Sequence, residues 1–126
     1  MSGCACNSSD VLFFACSGGS NVGQLSNAAA AELAQQDHGK MYCLAGLGGA
    51  VSGIVESTKA ARLKVAIDGC SIGCAKAIFD RLGLAPEIHV VVTELGIEKN
   101  HTFDISSEDL NKTCEAVIRE IAEQLI

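Results

Sequence analysis

Seven cysteines occur in this 126-residue chain, and several of them stand where strand-like runs end. Val11-Leu12-Phe13-Phe14-Ala15 leads into Cys16, Met41-Tyr42 into Cys43, and Leu63-Lys64-Val65-Ala66-Ile67 into Asp68-Gly69-Cys70. Cys74 follows in what reads as the first turn of a helix, where exposed N–H groups and the positive dipole end favour thiolate over thiol. In an open parallel sheet, ligands bind just beyond the carboxyl ends of the strands. Three strand ends and one helix start would therefore turn their sulfurs towards a common point. A tetrahedral set of thiolates suits zinc, at Zn–S distances of about 2.3 Å. The pattern predicts one zinc ion per chain, or another soft metal, held by Cys16, Cys43, Cys70 and Cys74.

Each of these thiols taken alone reads equally well as a small buried hydrophobe. Their shared topological edge is what sets them apart, since core cysteines would scatter over the sheet. Cys114 is the contrast: it falls on the apolar stripe of the last helical segment and reads as core. Cys4 and Cys6 form a Cys-x-Cys pair near the N-terminus, either an accessory arm that captures or hands over a soft ion or a surface pair with no dedicated role. Asp68 either steers a ligand from behind the metal's own ligands or binds turn amides and sets up the following helix, and the turn role is preferred. His38, His89 and His101 do not cluster in sequence. His89, within a strand run, reads as structural; His101, in a loop, is the histidine to seek near the site.

Other chemistries lack essential residues. Gly46-Leu47-Gly48-Gly49-Ala50-Val51 follows a strand and enters a helix, but Val51 stands where a dinucleotide loop needs its third glycine. Close packing explains these glycines better, although an anion nest stays open. Cys16-Ser17-Gly18-Gly19-Ser20-Asn21-Val22-Gly23 has neither the arginine of a phosphatase loop nor the Walker lysine.

The elements that must position the cysteines are legible as periodicities. The apolar run Ile88-His89-Val90-Val91-Val92 completes a set of four strands, and the first and fourth runs are apolar enough to be covered on both faces. Between them, Val22, Leu25, Ala29 and Leu33 step at helical spacing, as do Ala75, Ile78, Phe79 and Leu82, while Val51, Ile54 and Val55 open a further helix. Ser106 and Ser107 are cap candidates for a last helix bearing Leu110, Cys114, Val117, Ile118, Ile121 and Leu125 on one face. This βαβαβαβα order predicts an α/β fold: a three-layer α/β/α sandwich with a mainly parallel, roughly four-stranded sheet of the Rossmann or flavodoxin kind. Residues 10–126 form the expected single domain, and residues 1–9, small and polar, a flexible tail.

Bulk properties narrow the partners. A net charge of −6 and an aromatic content of 4% argue against nucleic acid, which calls for Lys, Arg and stacking rings. No apolar run approaches the ~20 residues that span a bilayer, and the N-terminus lacks the regions of a secretory signal. A cytoplasmic location follows as the expectation, and there structural disulfides are disfavoured. The odd cysteine count also fits a complete disulfide framework badly.

The stretches Phe14-Ala15-Cys16-Ser17-Gly18, Met41-Tyr42-Cys43-Leu44-Ala45-Gly46, Ala66-Ile67-Asp68-Gly69-Cys70-Ser71-Ile72-Gly73-Cys74 and Thr93-Glu94-Leu95-Gly96-Ile97-Glu98-Lys99 resemble the DGC-domain family, named for its Asp-Gly-Cys motif and described as binding zinc through four cysteines. By position, the resemblance implies the same ligands, Cys16, Cys43, Cys70 and Cys74. The expected function is metal handling or sensing, with the metal ion as partner and no catalytic activity favoured. The alternatives are a thiol-based redox or sulfur-transfer enzyme using the same cysteines, and an interaction module with structural zinc.

Overall fold

The computed structural model describes residues 10–125. Strand β1 (Val11–Ala15) lies inside a four-stranded sheet ordered β2-β1-β3-β4, with β2 at Lys40–Met41, β3 at Leu63–Asp68 and β4 at Ile88–Val91. Every pairing is parallel, in a register that sets Ala15 opposite Ile67 and Asp68 opposite Val91. All of β1 is buried, as befits a strand covered on both faces.

Alternation along the strands builds two apolar layers. Phe13, Val65, Ile67 and Val90 face helices α1 (Asn21–Gln35) and α5 (Ser107–Gln124), which contribute Val22, Leu25, Leu33 and Val117. Leu12, Phe14 and Ala66 face the opposite layer, formed by α2 (Leu44–Gly48), α3 (Ser52–Ala60) and α4 (Cys74–Arg81). There Phe14 meets Tyr42 and Phe79 edge-to-face at centroid distances of 5.9 and 5.1 Å, so much of the scarce aromatic content ties β1 to both of its neighbours in this layer. The result is the predicted three-layer sandwich.

The connection leaving β1 runs to β2, and the one leaving β3 runs outward to β4 on the other side. Chain direction across the sheet therefore reverses between β1 and β3. Such a switch point opens a crevice above the strand ends, because the helices leaving the two strands go to opposite faces. Cys16 follows β1 directly, and Cys70 lies two residues beyond β3.

Details differ from the sequence expectation. Strand β2 ends at Met41, although the Tyr42 amide still bonds the Phe13 carbonyl at 2.8 Å. The glycine-rich run after Cys43 begins as the short helix α2, not as a loop. A Cβ at Gly46 would fall 2.2 Å from Ile54 Cδ1, so the glycine lets α2 and α3 pack closely. Strand β4 stops at Val91, where Val92–Leu95 forms a 3-10 turn. Leu125 lies beyond α5 and is exposed.

Candidate functional site

The Asp-Gly-Cys turn after β3 is built residue by residue. Asp68 is 1% exposed, and its carboxylate reaches across seven residues to the start of α4. Oδ1 accepts the Ala75 amide at 2.7 Å; Oδ2 accepts the Lys76 amide at 3.2 Å and meets His89 Nε2 at 2.8 Å. The residue preceding α4 is Gly73, left-handed at φ 67° and without a side chain to cap with. Asp68 does the capping instead, its negative charge at the positive end of the helix dipole.

Gly69 allows α1 to sit directly on this turn. A Cβ at position 69 would lie 2.7 Å from the Gly23 nitrogen and from the Val22 carbonyl carbon. Both backbone groups of Gly69 are used: its carbonyl accepts the Thr93 amide at 3.1 Å, and its amide donates to Cys16 Sγ at 3.3 Å. Cys16 Sγ also lies 3.4 Å from Ser26 Oγ. The single hydroxyl proton of Ser26 goes to the Gly23 carbonyl at 2.7 Å, so Cys16 donates its S–H to Ser26.

Cys70 is half-buried and receives an N–H from Lys99 Nζ at 3.4 Å. Asn21, at the start of α1, grips the loop that carries this lysine. Its side-chain amide donates to the Glu98 carbonyl at 2.8 Å, its Oδ1 accepts the Asn100 amide at 2.6 Å, and its backbone amide bonds the Asn100 carbonyl at 3.1 Å. Cys74 opens α4 and is exposed. Cys43, also exposed, caps α2 by accepting the Gly46 amide at 3.2 Å.

The four thiols line two cavities that have Cys16 and Cys74 in common. Cys16, Cys70 and Cys74 line a cavity of about 180 Å³ together with Lys99 and His101. Cys16, Cys43 and Cys74 line an adjoining one of about 430 Å³. Shared cavity walls are not a metal centre. Among the described residues no group of three or more His, Cys, Asp or Glu side chains is placed to hold a metal ion. The sulfurs point to separate partners instead: Cys16 to Ser26 and Gly69, Cys43 to its own helix, and Cys70 to an ammonium that would repel a cation. The expectation of a four-thiolate zinc site, and with it metal handling, a zinc cofactor and a metal-ion partner, is corrected on this ground. Cys16, Cys43 and Cys70 follow strands β1, β2 and β3, but their sulfurs take up different local partners.

All five described cysteines are free. Cys114 is buried between α5 and α1, its Sγ 3.9 Å from the Ala29 carbonyl. Burial, with Glu32 and Glu115 adding to it, pushes this thiol up to about 11. Cys4 and Cys6 lie outside the described residues. Of the histidines, His101 lines the thiol cleft, whereas His89 reaches the site only through Asp68. Lys99, Asn21 and Ser26 were not singled out from the sequence. Asn21 and Lys99 act on partners up to 79 residues away, a distance no local motif spans. No helix among the described residues is long and apolar enough to cross a membrane.

Comparison with known proteins places the chain in a family. The DGC domain profile matches residues 12–117, and the chain belongs to the DGC domain family. It is also 36% identical over 101 residues to the anaerobic and virulence modulator AnvM of Pseudomonas aeruginosa, a match covering 80% of this chain and 77% of that protein. No solved structure matches.

Proposed function

We propose that the chain is a thiol-based redox module whose working groups are Cys70 and Cys74, with Cys16 beside them in the cleft at the β1/β3 switch point. The observation that carries this reading is the ammonium of Lys99 on Cys70 Sγ, inside a cavity that Cys16 and Cys74 also line. The contact sets a hydrogen-bond donor on a half-buried sulfur that incoming reagents can reach. Cys74 opens α4 four residues after Cys70 and is exposed, which suits it to the resolving role.

The chemistry is thiol–disulfide exchange with a low-molecular-weight disulfide. The Cys70 thiolate attacks one sulfur of that disulfide, forming a mixed disulfide and expelling the first small thiolate. Cys74 then loses its proton and attacks Cys70 Sγ, closing an internal disulfide and expelling the second. The protein dithiol is oxidised and the small disulfide is reduced to two thiols. Such a module works in the cytoplasm, where the reduced form is the resting one. A switch set by oxidation state is also in keeping with the name of the Pseudomonas relative, an anaerobic and virulence modulator.

The test is a brief alkylation pulse read by mass spectrometry, on reduced protein carrying Cys4→Ser and Cys6→Ser. Cys70 or Cys74 labels fastest and Cys114 slowest. Lys99→Met slows Cys70 about three- to tenfold, and a small disulfide then links Cys70 to Cys74 reversibly. Uniformly slow labelling at the cleft thiols, or fastest labelling at Cys114, overturns the proposal.

A further inference from the structure

The thiol cleft has a charge pattern at odds with the rest of the chain. Asp and Glu outnumber Lys and Arg by 15 to 9, yet neither of its two lobes is lined by an acidic residue. Lys99 is the charged side chain on the cleft wall, and it stands at one end with His101 and Ser20. Its ammonium has three N–H groups, of which Cys70 takes one. The far lobe is the larger and is walled by Met41, Tyr42, Leu44 and Ile78. Cys16 and Cys74 line both lobes.

We infer that this cleft binds a small amphipathic organic anion, with its carboxylate against Lys99 and His101 and its apolar body along Met41, Tyr42 and Ile78. The larger lobe falls in the size range of small-molecule sites, which are mostly apolar with a few convergent polar groups. A carboxylate fits the cationic end because the Lys99 ammonium is a donor there, His101 stands beside it, and no acidic residue lines either lobe. An apolar body fits the other end because burial of its methylenes drives binding. A bare anion satisfies only the first lobe and a neutral alkane only the second. The inference extends the thiol reading by naming what occupies its cleft: the ligand would lie against Cys16 and Cys74 and shield them.

Octanoate is the probe, with octanol and inorganic phosphate as its two halves, measured by calorimetric titration on the full chain and by the alkylation pulse. Octanoate binds about tenfold tighter than either half and slows labelling of Cys16 and Cys74 while leaving Cys114 unchanged. Lys99→Met weakens octanoate about tenfold and leaves octanol as it was; Ile78→Ser weakens both. Circular dichroism confirms that each variant folds. Octanol binding as tightly as octanoate, phosphate matching it, or no octanoate binding at all overturns the inference. Because calorimetry does not depend on thiol reactivity, failure here with Cys70 or Cys74 still labelling fastest leaves the redox proposal standing.

Discussion

At the scale of single residues, one atom type takes very different characters according to its neighbours. Cys70 has an ammonium on its sulfur, Cys16 donates to a buried hydroxyl, Cys43 caps a helix, and Cys114 is packed under α5. The last carries a stability consequence. Its folded-state pKa is raised from 9.0 to about 11, first by burial and then by Glu32 and Glu115. Between those values the unfolded chain has released the thiol proton while the native chain retains it. The unfolded state therefore binds fewer protons, and stability falls as pH rises from about 9 towards 11. Below pH 9 both states hold the proton and this contribution is flat. Urea unfolding at pH 8, 9, 10 and 11 should show a decline in the midpoint that is shallower in Cys114→Ala, after allowance for the constant cost of the small cavity. An unchanged slope in that variant would show that Cys114 is not buried as described.

At the scale of elements, the Asp-Gly-Cys turn locks three pieces of structure together. Asp68 caps α4 and holds His89 of β4, Gly69 lets α1 press on the turn, and the Gly69 carbonyl ties it to the residues after β4. Asp68→Asn keeps the shape but leaves one of the two α4 amides facing a donor, which costs about 2–3 kcal/mol. Because the first turn of α4 then frays, the same variant also changes the labelling rate of Cys74 while leaving Cys43 as it was. Gly69→Ala meets backbone rather than a flexible side chain, so α1 must move, at a cost of about 1–3 kcal/mol. Denaturant unfolding of both variants, with the alkylation pulse on the first, checks these figures. Here the sequence was a partial guide. Strand ends could be read from where the apolar runs stop, and the preference of Asp68 for turn amides follows from its chemistry. That its partners would be Ala75, Lys76 and His89 could not be read, since each contact depends on how α4 and β4 dock.

At the scale of the whole molecule, the periodic apolar pattern specified both layers of the sandwich, because alternation in strands and three-four spacing in helices must each bury a face. The position of the cleft between β1 and β3 follows from the strand order, which the apolar runs do not contain. The strand-end logic over-reached at the metal. Sharing a sheet edge sets backbones within reach of one another, whereas ligation needs sulfurs aimed within a few tenths of an ångström. That aim is decided by Gly46 through a local helix cap, and by Ser26, Gly69 and Lys99, which no spacing rule couples to the cysteines. A stability prediction separates the two levels. The core here includes Phe13, Val65, Ile67, Leu25 and Val117 on one side of the sheet and Phe14, Leu47 and Phe79 on the other, all within 1% of complete burial. Neither layer draws on Cys43 or Cys74, which are exposed. Folding energy therefore resides in apolar burial, unlike small domains that unfold when their metal is removed. Thermal unfolding followed by circular dichroism should give the same midpoint with and without a strong chelator, and helix content should not change. A fall of about 5 °C or more on chelation, corresponding to a loss of ~1 kcal/mol in a chain of this size, would mean that a metal ion helps to hold the strand-end turns together.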